Sequence, residues 1–258
     1  KENVILIESG SNFVPRIEGL MNKSTDGRFF WINYQPDTSQ NWFMYQYLVD
    51  GTLKVADPFS VTVLDPGHDL FIPSAVNDEF PIYPAEGTGI ISFVPVEEEP
   101  YDWQMESFTP PAAEDLLIYE LHIRDFLATH SFKTLIDTLG YLERLGINAI
   151  ELMPISEFEG NDSWGYNPSF QMALDKYYGS PHDLKRFVDE AHRRGMAVIL
   201  DVVLNHVFSQ SPLAQLYWDP IQFRPSLENP WLNVVAKHPF NVGYDVNHQS
   251  LATKRWVE

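Results

Sequence analysis

The run DVVLNH, Asp201 to His206, follows directly on the apolar stretch MAVIL, Met196 to Leu200. An acid, an amide and an imidazole at the end of a buried strand are costly to desolvate unless their donors and acceptors are used. Two earlier strand ends are dressed the same way. After LLIYEL come His122, Arg124 and Asp125. After INAIELMP come Glu157 and then the loop NDSWGYNPSF, with Trp164, Tyr166 and Asn167. Packing readings stand beside the chemical ones. His122 and Arg124 could satisfy backbone carbonyls, Trp164 could plug a mouth between strands, and Glu151 inside the second strand could be half of a structural pair with an arginine.

The elements that must position these groups follow from periodicity. From Lys1 to Phe108 short β-type runs are broken by turn residues: NVILIE, RFFWINY after the turn signal STDG, and WFMYQYLV followed by the hairpin signal DGT at Asp50 to Thr52. The spacing predicts a β-sandwich over 1–108. EEEPYDW and TPPAAED read as linker. From 109 to 258 the period changes to strand, helix, strand, helix, strand, which predicts a parallel sheet. SFKTLIDTLGYLERLG is expected as one helix capped by Ser131, with Phe132, Leu135, Ile136, Leu139 and Leu142 on its buried face, ending at Gly146. SPHDLKRFVDEAHRRG is expected as the next, with Ser180 as N-cap, Pro181 in its first turn and Asp183 closing a capping box. In parallel α/β barrels functional groups sit at the carboxyl ends of strands, where all three clusters fall.

Composition narrows the function. The 258 residues carry a net charge of −19, so nucleic acid is excluded as a partner on electrostatic grounds. No apolar run approaches the roughly 20 residues of a membrane span. Without cysteine, disulfides, thiolate metal sites and cysteine nucleophiles are excluded. Aromatics reach 14%, which suits either sugar platforms or large β-rich cores. Neither nucleotide-binding fingerprint is present.

Taken together, the motifs resemble the α-amylase family of glycoside hydrolases. DVVLNH is similar to that family's signature at the end of the third barrel strand, WGYNPSF to its loop after the second, and YELHIRDF to its first-strand motif. LVDGTLKVADPFS resembles the end of an immunoglobulin-like carbohydrate-binding module. The resemblance implies an immunoglobulin-like β-sandwich over 1–108 and, over 109–258, the first three βα units of a TIM-type (β/α)8 barrel with an insertion after strand three. It implies that Tyr166 stacks on a sugar ring, that His206 donates hydrogen bonds to that sugar, that Trp164 lies in the substrate site, and that Asp201 holds an arginine that orients the nucleophile. Asn205 matches a calcium position; calcium is possible, and no other cofactor is required. The implied partner is an α-glucan polysaccharide or oligosaccharide. Polymer degradation favours a secreted or periplasmic location over the cytoplasm.

The family's nucleophile pattern, G-F-R-x-D, is absent, and the residues from Leu116 onward are too few for a barrel of about 250. The resemblance therefore implies that nucleophile and acid/base lie beyond Glu258, that this chain alone is inactive, and that it could dimerise through an incomplete barrel with unpaired edges and an apolar interior. YELHIRDF leans toward neopullulanase- and pullulanase-like members. Two alternatives remain at this point. In one, the chain is a non-catalytic glucan-binding or scaffold protein, with Trp31, Trp42, Tyr45 and Tyr47 as platforms. In the other, Glu157 and Asp201 form an acid pair in a smaller complete enzyme.

Overall fold

The computed structural model describes residues 1–36, 41–76, 80–96 and 99–257. Glu97 and Glu98 of the expected linker lie outside these.

The N-terminal region is built on one five-stranded antiparallel sheet. Its strands are β1 (Val4–Glu8), β4 (Trp42–Val49), β5 (Leu53–Val55), β6 (Val63–Leu64) and β7 (Ile91–Pro95); the short pair β2 (Asn22–Lys23) and β3 (Phe30–Trp31) stands apart. The central strand β4 pairs β1 through Leu48↔Ile5 and β7 through Met44↔Phe93. Asp50 and Gly51 both take positive φ in the β4–β5 turn, the conformation of a primed hairpin turn. Ile7, Met44, Leu64 and Ile91 fill the core beside this sheet, each worth about 1.5–3 kcal/mol of burial. Where a sandwich is expected, the described residues form one full sheet and one short ribbon. Only Phe30 and Trp31 of RFFWINY enter a ladder. Prolines at 58, 66, 73, 81 and 84 punctuate the rest and deny it ladder donors.

The second region holds a parallel sheet of β8 (Ile118–Leu121), β9 (Ala149–Leu152) and β12 (Ala197–Leu200), with β9 central and register Tyr119↔Ile150↔Val198. The first crossover is two helices rather than one, α2 (Phe132–Ile136) and α3 (Leu139–Arg144), after the short α1 (Ile123–Phe126). Thr138 explains the break. Its hydroxyl donates to the Leu135 carbonyl at 2.7 Å, and the Asp137 and Thr138 amides turn to carbonyls three residues back. The predicted apolar face survives the break: Phe132, Leu135, Leu139 and Leu142 are fully buried. The second crossover, α4 (Pro181–Arg193), has the expected capping box between Ser180 and Asp183 and buries Phe187 and Ala191. Asp189 on α4 accepts the Gln104 and Met105 amides at 3.0 and 2.9 Å, which fastens the connecting segment to this helix.

Between β9 and α4 runs an antiparallel pair, β10 (Ser156–Phe158) and β11 (Pro168–Leu174). After β12 the chain makes a long excursion. It comprises β13 (His206–Val207), α5 (Pro212–Gln215), the pair β14 (Trp218–Asp219) and β15 (Arg224–Pro225), and β16 (Tyr244–Asp245), which returns to β13. After this excursion comes α6 (Leu251–Val257). On the outer strands and their flanks Leu117, Ile118, Leu200 and Val202 are exposed. The sheet face that carries Ile118, Ala149 and Ile199 also sets Glu120 and Glu151 side by side in register.

Candidate functional site

The site forms where the segments leaving β8, β9 and β12 meet. Its centre is Tyr166. Pro154 follows β9, and the WGY loop folds back over it. At Gly165 φ is +87°, and a Cβ there would meet the Pro154 carbonyl oxygen at 2.3 Å. Only glycine permits both the backbone conformation and the close approach. The loop is then stapled. Gly165 N–H donates to Ser163 Oγ at 2.9 Å, Asn167 Nδ2 donates to the Glu159 carbonyl at 3.0 Å, and the Ser163 and Asn167 side chains bond each other. Glu159 ties this loop to the one after β12 by accepting from Ser209 Oγ at 2.8 Å and from the Gln210 amide at 2.6 Å.

Tyr166 donates its hydroxyl to Asp201 Oδ2 at 2.6 Å. That carboxylate, then burial and the charge of Asp201, Glu120 and Glu151, pushes the phenol up to about 12. The ring stays neutral and is fixed at its tip, while the residue remains 39% exposed. His206 lies beneath, 6% exposed, with Nε2 2.7 Å from the Tyr166 carbonyl. Nε2 therefore donates to that carbonyl. Trp164 is 56% exposed and donates Nε1 to Asp125 Oδ2 at 3.1 Å. Asp125 also accepts from Arg124 Nε at 3.1 Å and lies 3.3 Å from His122 Nδ1; Arg124 reaches on to Asp162. The arginine bond lowers the Asp125 carboxyl from its ordinary value. Burial lowers the His122 imidazole, against the pull of Asp125, and its Nε2 sits 3.1 Å from the Tyr178 hydroxyl.

The structure brings Tyr166, Asp201 and His206 into one network and hangs Trp164 on the group from the first strand end. Asn205 is exposed, and its carbonyl accepts the Val246 amide at 2.9 Å. Among the described residues no three acidic or histidine side chains converge to hold a metal. Calcium takes roughly six to eight oxygens, and no step is derived through it.

The acid pair of Glu157 and Asp201 is overturned. Glu157 is buried and grips Lys176 Nζ with both oxygens, at 2.7 and 2.9 Å; Lys176 also meets Asp69 Oδ1 at 3.3 Å. Burial disfavours the Lys176 ammonium, but Glu157, Asp69 and Asp175 outweigh it and hold the lysine charged. Burial likewise pushes the Glu157 carboxyl up, and Lys176 pulls it back. Glu151 makes no ion pair with an arginine among the described residues. Of the aromatic platform candidates, Tyr45 and Tyr47 spend their hydroxyls on Asp57 and Trp42 packs on the core; Trp31 is 56% exposed. The role of Asp125 as a hub was missed beyond its place at a strand end. Its neighbours come from the second loop, and only the Arg124–Asp125 adjacency hinted at it.

Fold and site together define an α/β protein whose polar and aromatic groups gather at the carboxyl ends of consecutive parallel strands. Residues 128–216 match the family described as Alpha amylase, catalytic domain. The chain is similar to malto-oligosyltrehalose trehalohydrolase of Saccharolobus solfataricus, 36% identical over 163 residues, which is 63% of this chain and 25% of that protein. It is also similar to the enzyme of that name from Arthrobacter ramosus, 34% identical over 183 residues, covering 70% and 28%. The chain thus spans about a quarter of the length of these curated relatives. Among solved structures, a putative alpha amylase from Salmonella typhimurium matches all of this chain and 37% of its own, with a TM-score of 0.71 at 24% identity. The GBS pullulanase SAP in complex with maltotetraose matches 80% and 31%, with a TM-score of 0.56 at 21% identity. These two likenesses bear on the fold.

Proposed function

We propose that this chain forms the sugar-gripping part of a retaining α-glucan-active glycoside hydrolase. In this proposal residues 1–108 are an immunoglobulin-like carbohydrate-binding module, and 109–258 are the first three βα units of a (β/α)8 barrel with the excursion after the third strand. The observation that carries the function is the 2.6 Å bond from Tyr166 to Asp201. A tyrosine pinned at its hydroxyl, with its ring partly open to solvent, is a rigid stacking face for a pyranose. His206 supports that face from below through the Tyr166 carbonyl, and its contact with the sugar is left to Nδ1. Trp164, steadied by Asp125, is the adjacent wall. The bound maltotetraose of the pullulanase relative in fold and the oligosaccharide named by the curated relatives agree with an α-glucan substrate.

Cleavage is assigned to neither of the obvious acids. Asp201 is engaged by Tyr166, and Glu157 is engaged by Lys176. A retaining glycosidase needs two carboxylates about 5–5.5 Å apart, one on each side of the bond. The chain by itself should therefore bind maltotetraose without releasing reducing sugar. Calorimetric titration of the full chain tests this: Tyr166→Ala should weaken binding by about tenfold or more. Undiminished affinity in that variant would remove the stacking role, and reducing-sugar release by the purified chain would contradict the assignment of cleavage.

A further inference from the structure

A cavity of about 360 Å³ lies between the N-terminal sheet and the excursion after β12, and none of its lining residues belongs to the Tyr166 site. That size falls at the lower end of the roughly 300–1,000 Å³ of small-molecule sites. Its walls come from two distant parts of the chain. Tyr47 on β4 and Phe59 after β5 face it from the sheet; Tyr217 and Trp231 face it from the excursion. The last two rings meet at 60° with centroids 5.9 Å apart, which makes a corner rather than a flat wall. Phe59 is 57% exposed beside this corner.

Three charged groups complete the lining: Asp57, Arg28 and Lys1, whose ammonium lies 4.7 Å from the centre of the Tyr217 ring. Asp57 is fixed by Tyr47 Oη at 2.8 Å, Tyr45 Oη at 3.1 Å and the Phe59 amide at 2.8 Å. A carboxylate accepts about four hydrogen bonds, so Asp57 retains capacity for one more. Arg28 lies at the mouth with its side chain 67% exposed and, among the described residues, only a long side-chain contact, 3.9 Å, to Asp26. Its donor fork is largely unspent. Aromatic faces, one preset acceptor and the donors of Arg28 and Lys1 match a pyranose, which presents apolar C–H faces and a rim of hydroxyls that both donate and accept. A net charge of −19 disfavours anionic ligands.

We infer that this cleft is a second binding site for the end of a neutral pyranose oligosaccharide, separate from the Tyr166 site. The proposed function enters only in the choice of probe. The ¹⁵N-labelled full chain is titrated with maltotriose, and the indole resonances of Trp231 and Trp164 are assigned with Trp231→Phe and Trp164→Phe. Both should move, with separate dependences. Phe59→Ser and Arg28→Ala alter exposed side chains and should each weaken the Trp231 event by about tenfold while leaving the Trp164 event in place. Tyr166→Ala should do the reverse. A Trp231 indole that stays still at saturating maltotriose, or whose shift Tyr166→Ala abolishes, overturns the second site. Movement of Trp231 with a silent Trp164 would uphold it while removing the proposed function of the Tyr166 site.

Discussion

Lys176 is the residue whose loss the structure makes easiest to weigh. It is 2% exposed, and its ammonium holds Glu157 at 2.7 and 2.9 Å and Asp69 at 3.3 Å. Asp69 belongs to the N-terminal region and Glu157 to the β10 strand, so one cation joins the two regions. Lys176→Met keeps most of the volume and removes the charge. Breaking a buried ion pair from one side costs about 3–5 kcal/mol, because the carboxylates stay behind unpaired. At about 2–4 °C per kcal/mol for a chain of this size, the melting temperature should fall by roughly 6–20 °C. The sign of the pH dependence follows. Without the lysine the folded-state affinities of Glu157, Asp69 and Asp175 for protons rise further above their unfolded values. Acids raised in this way penalise folding at neutral pH, and the penalty fades as pH falls through their folded values toward about 4. The variant's deficit should therefore be largest near neutrality and shrink in acid. Adding Glu157→Gln should recover part of the loss, because one stranded charge is gone. Thermal unfolding followed by circular dichroism at pH 7.5 and 5 measures all of this. A deficit under about 1 kcal/mol at pH 7.5, or one that deepens at pH 5, would refute the account of a charged lysine stabilised by buried carboxylates.

Two further outcomes are expected. Gly165→Ala places a methyl 2.3 Å from the Pro154 carbonyl at a φ of +87°, so it should cost about 1–3 kcal/mol in urea unfolding and reduce maltotetraose affinity through displaced Tyr166; wild-type affinity would show that the loop does not position the ring. Burial depresses the His122 imidazole below 6.5, so its contribution is fully present above that pH and is lost as pH falls through the lower folded value. Urea midpoints across that window should decline in the native chain and decline less in His122→Gln, and equal slopes would remove His122 from the acid response.

Local pattern made much of the architecture legible. Ser180 and Asp183 announced α4, the spacing of Phe132, Leu135, Leu139 and Leu142 told which face of the first crossover was buried, and the alternation of strand and helix announced the parallel β8–β9–β12 sheet. These signals lie within a few residues of the structure they report. The N-terminal region was less legible. Its turn signals located strands but not how many would pair, and proline placement left one full sheet.

Local pattern along the chain dictates which groups stand at the strand ends, since strand polarity and helix caps are local matters. What those groups touch was decided by the tertiary structure. Asp201 takes Tyr166 from a loop 35 residues earlier, Asp125 takes Trp164 from 39 residues later, and Glu157 is drawn to a lysine that also reaches Asp69. A polar side chain accepts whichever complementary partner packing delivers within about 3 Å. That delivery depends on contacts distant in the chain, which no local pattern carries.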